Sequence, residues 1–137
     1  MTATKETEKD HAKEQAQMQL ESIREMVATL NHAREGGTTE AIEEAEQTIR
    51  DDALSIEVRS QWHDPCSNND FRSGEYRICL CTGGPACQII GELNEHSEAE
   101  SARLEYQDWG TPWTDYPVNN ADEEILLQYA NCFYFRE

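Results

Sequence analysis

The run Ile49-Arg50-Asp51-Asp52-Ala53-Leu54-Ser55-Ile56-Glu57-Val58-Arg59 decides the fold, because the period of its apolar residues changes within it. Before Ala53 the apolar positions Ile42, Ala45 and Ile49 return every three or four residues. From Leu54 they alternate, with Leu54, Ile56 and Val58 set against Ser55, Glu57 and Arg59. The first spacing marks one face of an α-helix and the second one face of a half-buried strand. On this pattern the chain divides into an N-terminal helical arm over 1–53 and an α+β sheet domain over 54–137.

Working back from Ile42, Glu40, Glu43 and Glu44 suit the positive end of a helix dipole, and Thr38 or Thr39 can cap that helix. Gly36 and Gly37 can take the positive φ that ends an earlier helix. Ala16, Leu20, Ile23, Val27 and Leu30 fall at a 4-3-4-3 spacing, so this earlier helix carries one apolar stripe and the pair reads as an αα-hairpin. Residues 1–15 are nearly all polar, and fraying is expected there.

Working forward, Tyr76, Ile78 and Leu80 alternate with Arg77, Cys79 and Cys81, and Leu104 and Tyr106 alternate with Arg103, Glu105 and Gln107. Ala86 to Leu93 supplies another strand, joined to its predecessor through Thr82, Gly83, Gly84 and Pro85, where adjacent glycines permit a tight hairpin turn. Four strands in one antiparallel meander are expected, covered by a C-terminal helix over Asp122–Phe135 that places Ile125, Leu126, Tyr129 and Phe133 on the sheet. The stretches Trp62–Gly74 and Gly110–Asn120 are expected to be irregular, with Trp109 and Trp113 closing the end of the core.

The chain has 137 residues, enough for one modest core, and 28 Asp and Glu against 11 Lys and Arg, a formal charge of -17. No apolar stretch approaches the roughly 18 residues of a membrane span, and no signal-like segment follows Met1. A cytoplasmic location in a host cell is expected. Beyond Lys13 there is no lysine, and residues 54–137 carry 15 acids against five arginines, so a phosphate backbone would be repelled and direct nucleic-acid binding is not expected.

Cys66, Cys79, Cys81, Cys87 and His63 are soft enough to bind zinc, but structural zinc takes thiolates in pairs two to four residues apart on a turn, whereas Cys79 and Cys81 lie within a strand and Cys87 is expected on its opposite face. Neither a metal nor any other cofactor is expected. A cysteine nucleophile would need a histidine base, and His11, His32, His63 and His96 fall on separate elements. The Gly83-Gly84 pair lacks the Lys-Ser/Thr ending of a phosphate loop. The sequence therefore reads as a non-enzyme.

The acids remain to be explained. Glu43, Glu44, Asp51 and Asp52 lie on the second helix. Glu92, Glu95, Glu98, Glu100, Glu105 and Asp108 run through and beyond the hairpin of the third and fourth strands, and Trp113 sits in a loop beside them. Carboxylates held on rigid elements can imitate a row of phosphates and fill a basic groove that takes DNA or RNA, and these eleven residues are the expected partner-binding set.

Three runs, Glu75-Tyr76-Arg77-Ile78-Cys79-Leu80-Cys81-Thr82-Gly83-Gly84-Pro85-Ala86, Leu104-Glu105-Tyr106-Gln107-Asp108-Trp109-Gly110-Thr111-Pro112-Trp113-Thr114 and Phe133-Tyr134-Phe135, resemble small acidic proteins of temperate phages and prophages. The resemblance covers Leu54 to the C-terminus. No catalytic residues are attached to that family, so none is carried over. It implies a setting in which accessory proteins block host defences, anti-CRISPR and anti-restriction proteins among them, by occupying nucleic-acid sites. The expected function is therefore an anti-defence inhibitor that binds a basic nucleic-acid-binding protein of the host as a DNA or RNA mimic. The alternatives are an interaction or assembly protein forming a homodimer through Leu20, Ile23, Val27 and Leu30, and a small zinc protein.

Overall fold

The computed structural model describes the backbone of residues 2–60, 73–82, 85–108 and 110–135, and the side chains of these from 11 and from 74 onward. Two helices, α1 (Thr2–Gly36) and α2 (Thr39–Asp52), precede strands β1 (Ser55–Ser60), β2 (Ser73–Cys81), β3 (Ala86–Glu92), β4 (Arg103–Gln107) and β5 (Thr114–Tyr116), and α3 (Asn120–Ala130) follows them. The strands form one antiparallel sheet in the order β1-β2-β3-β4-β5.

Gly37 ends α1 with φ +75° while its N–H bonds the Ala33 carbonyl at 3.1 Å, the left-handed cap that glycine adopts without a Cβ penalty. Thr38 is the extended N-cap of α2, but its hydroxyl makes no capping bond. The change of period at Ala53 and Leu54 is the α2–β1 junction, where Ala53 turns to extended backbone.

One core spans this junction. Ala12, Ala16, Leu20, Ile23, Val27 and Leu30 of α1 are buried in the same cluster as Tyr76, Ile78, Cys87, Ile89 and Leu104 of the sheet and Leu126 and Tyr129 of α3. Each large apolar side chain buried this way contributes about 1.5–3 kcal/mol. Leu20, Ile23, Val27 and Leu30, the stripe expected to seat a second copy, are buried in the chain's own core. The helix also starts earlier than its polar N-terminus suggested. It runs from Thr2, and Ala12 is fully buried, because a small alanine can close against a neighbour where the pattern offers no larger apolar residue.

The sheet has five strands rather than four. β5 lies in the stretch expected to be irregular and pairs Thr114 with Tyr106 and Tyr116 with Leu104. Three residues are too few to display a period of two, and β5 is held by the Tyr116 ring set edge-on to Tyr106 at 6.4 Å.

Helix α3 stops at Ala130, five residues short of expectation, and Phe133 and Phe135 are buried from a non-helical tail, with the Phe135 ring 4.8 Å from Tyr76. Its packing is chiefly on α1, with a smaller contact to β4. Asn119 caps α3 by accepting from the Asp122 N–H at 2.8 Å, and the Asp122 carboxylate receives Nε and Nη2 of Arg24 at 2.9 and 2.7 Å, a two-bonded clamp between α1 and α3. The expectations for residues 61–72, for the turn at Gly83 and Gly84, and for Trp109 lie outside the described residues, and Trp113 is 38 % exposed rather than closing the core.

Candidate protein-binding surface

Helical spacing brings the acids of α2 together. Glu40, Glu43, Glu44 and Glu46 line one shallow groove with Gln47, Arg50 and Tyr134. Arg50, the one cation of this groove, is engaged several times over. It reaches Glu46 at 3.7 Å and the Cys132 carbonyl at 3.3 Å, and its guanidinium lies 5.9 Å from the Tyr134 ring centre. Arg34 also approaches Glu46, at 3.8 Å. Among the described residues Glu40, Glu43 and Glu44 make no ion pair, so their charge faces solvent uncompensated.

The β3–β4 hairpin carries a second group, the exposed Glu92, Glu95, Glu98 and Glu100. Its tip is ordered by Asn94, whose side-chain oxygen accepts from the N–H groups of His96 and Glu98 at 2.8 and 3.1 Å, a local turn of the kind Asn favours. The tip is docked to the end of α3, where the Ala99 N–H donates to the Asn131 side chain at 2.8 Å. The α2 groove and the hairpin both reach the short segment Asn131–Tyr134, the first through Arg50 and Tyr134 and the second through Ala99.

The remaining residues of the expected set do not join them. Asp51 is exposed on α2 and accepts from Gln47, while Asp52 accepts the Tyr129 hydroxyl at 2.8 Å and ties α2 to α3. That bond and burial together push the Tyr129 phenol well above its ordinary pKa, burial being the larger cause. Glu105 accepts from Gln88, which is only 4 % exposed, at 2.8 Å in the middle of the sheet. Asp108 closes a turn with Thr111, and with Trp113 it lies beyond the opposite end of β4 from the glutamate-rich tip.

The outer sheet face is not an acidic field. Register places Glu57 beside Arg77, Arg59 beside Glu75, and Arg103 beside Ile90. Arg77 bonds Glu57 at 2.7 Å and Arg59 bonds Glu75, so both signs interleave as cross-strand pairing favours. Exposed acids cluster on α2 and on the hairpin tip, and others lie on α1 (Glu21, Glu25, Glu35) and on α3 (Glu123, Glu124).

Sequence reasoning missed Tyr134 and the role of Arg50. Tyr134 is 79 % exposed between buried Phe133 and Phe135, an alternation legible in the Phe133-Tyr134-Phe135 run once those residues are released from a helix. Among the described residues no three His, Cys, Asp or Glu side chains converge as a metal site, and Cys66 and His63 lie outside them. No described helix is long and apolar enough to cross a membrane. No protein-family model, curated protein or solved structure matches the chain.

Proposed function

We propose that the chain is a non-catalytic anti-defence inhibitor, of anti-CRISPR or anti-restriction type, that occupies a basic nucleic-acid-binding surface of a host protein. The observation supporting this reading is the charge density of α2. Glu40, Glu43 and Glu44, none of them in an ion pair among the described residues, set three negative charges along about 6 Å of helix axis at 1.5 Å per residue, about one per 3 Å. A DNA strand presents one phosphate per about 3.4 Å of axis. A groove built to follow phosphates meets a similar linear charge here, on a helix whose other face is fixed to the core by Ala45 and Ile49.

Partner recognition is assigned to Glu40, Glu43 and Glu44, with Tyr134 as the apolar anchor beside them and the hairpin glutamates extending the surface. The test is capture from a bacterial lysate at about 50 mM salt, with elution by duplex DNA and by salt. Retention of a DNA- or RNA-binding defence protein that duplex DNA displaces supports the reading. Its loss in the Glu40→Gln, Glu43→Gln, Glu44→Gln triple variant places the contact on α2. Retention indifferent to competing nucleic acid, or no retention of such a protein, refutes it.

A further inference from the structure

The mimicry reading makes no use of the thiols, yet three of them converge on the β2–β3 ladder. Strict alternation along β2 would put Cys79 and Cys81 on one face and Cys87 on the other. A register shift between Cys79 and Cys81 changes this. Cys79 remains opposite Gln88, whereas Cys81 becomes the direct partner of Cys87. A bulge sets two residues of one strand against one of its neighbour, and here Leu80 and Cys81 share the place opposite Cys87.

Directly opposed residues of an antiparallel pair have Cα atoms about 4.5–5.5 Å apart, within the roughly 4.4–6.8 Å that a disulfide spans. The pair is also asymmetric. Cys87 is fully buried, while Cys81 is partly exposed and open to a reagent.

We propose that Cys81 and Cys87 form a reversible dithiol–disulfide site that takes low-molecular-weight disulfides such as glutathione disulfide, with Cys81 attacking and Cys87 resolving. In the first step the Cys81 thiolate attacks one sulfur of the reagent, whose S–S bond breaks and releases one thiol. The Cys87 sulfur, its proton lost to solvent, then attacks the Cys81 sulfur and expels the second thiol. Two protein thiols are oxidised by two electrons, and one disulfide is reduced to two thiols.

The local chemistry suits these roles. The Cys87 thiol donates to the Cys81 sulfur and holds Cys81 down at about 7, while the same bond and burial push Cys87 up. Cys79, the third thiol nearby, is pushed up chiefly by burial, and its Sγ is directed at the Cys81 carbonyl at 3.8 Å.

Intact full-length protein is equilibrated with mixtures of reduced and oxidised glutathione, the free thiols are capped, and the products are mapped by peptide mass spectrometry. The expected product is one internal disulfide, Cys81 to Cys87, reversed by dithiothreitol. In Cys87→Ala a glutathione adduct should persist on Cys81. Alkylation of Cys81 at pH 7 should also slow, since the variant loses the thiol that stabilises the Cys81 thiolate. A bridge from Cys81 to Cys66 or Cys79, a persistent adduct in the unsubstituted protein, or no reaction at Cys81 overturns the proposal. Because the mapping is decisive on the unsubstituted chain, it stands even if the alanine variant folds poorly.

Discussion

Gly91 is the position at which one methyl group should do the most damage. It sits on the inner face of β3 opposite Tyr76, and a Cβ built there would lie 1.9 Å from the Ser101 carbonyl oxygen and 2.8 Å from the Tyr76 hydroxyl. The hydroxyl and the carbonyl are themselves bonded at 2.6 Å, so the three groups compete for one space. Gly91→Ala must push Ser101 back by more than 1 Å. This breaks that bond and strains the neighbouring ones from Glu92 N–H to the Ser101 hydroxyl at 3.0 Å and from Glu100 N–H to the Glu92 carbonyl at 2.8 Å. Overpacking costs about 1–3 kcal/mol and the lost bond about 1 kcal/mol, so a loss of about 3 kcal/mol is expected. With a urea slope of about 1.5–2 kcal/mol per molar, the unfolding midpoint should fall by about 1.5–2 M. Tyr76→Phe alone should cost about 1 kcal/mol, and the double variant should cost less than the two singles together, because both singles forfeit the same bond. A Gly91→Ala midpoint within about 0.3 M of the parent, or strict additivity with Tyr76→Phe, would refute the close approach.

Asp122→Asn should cost about 1–2 kcal/mol at pH 7, moderated by the solvent exposure of Arg24. Arg24 holds the Asp122 carboxyl below its ordinary pKa, so the clamp contributes fully above the unfolded value of about 3.9 and fades as pH falls through the lower folded one. The gap in urea midpoint between parent and variant should therefore narrow as pH falls below about 3.9, and a gap unchanged at the lowest pH at which both still fold would count against the clamp. Tyr129→Phe should cost about 1 kcal/mol through the loss of its bond to Asp52, read from thermal unfolding, and a variant with an unaltered melting temperature would show that bond to be idle. β1 is an edge strand whose Ile56 and Val58, with Leu54 just before it, are 39, 37 and 60 % exposed, so Ile56→Lys should leave stability within about 0.5 kcal/mol while lowering aggregation measured by light scattering.

The helical hairpin, the meander and the inner face of β2 were legible because each rests on a period sustained over at least three apolar residues, as with Leu20, Ile23, Val27 and Leu30, whereas Leu54, Ile56 and Val58 keep the same alternation beside and along an edge strand and are exposed rather than half-buried. What escaped was shorter than a period or came from distant contacts. β5 has three residues. The β2 bulge leaves Tyr76, Ile78 and Leu80 in regular alternation, so nothing in the sequence announces that Cys81 has turned towards Cys87. For the binding surface, acidity was visible but its assembly was not. The hairpin tip reaches α3 through Ala99 and Asn131, 32 residues apart, and α2 reaches the tail through Arg50 and Cys132, 82 apart, and neither contact has a local signature. Glu105 and Asp52 looked like surface acids and instead hold Gln88 and Tyr129.

The distribution of arginines explains why the acidic surface survives in the fold, and the response to salt distinguishes mimicry from a merely solvated exterior. Arg24, Arg34, Arg50, Arg59 and Arg77 each contact a carboxylate that links two elements or two turns, so these five cations help hold the chain together, and among the described residues Glu40, Glu43, Glu44 and the hairpin glutamates make no ion pair. Salt should then act with opposite signs on folding and on binding. Raising NaCl from about 50 to 500 mM shortens the screening length from roughly 14 to 4 Å, which relieves self-repulsion among the acids more than it weakens exposed pairs worth about 0–1 kcal/mol each. The urea midpoint should rise, while retention of a basic partner should fall by at least tenfold. A solvated exterior predicts the first effect without the second. A midpoint that falls with salt would mean that the exposed ion pairs, rather than the unpaired glutamates, dominate the surface.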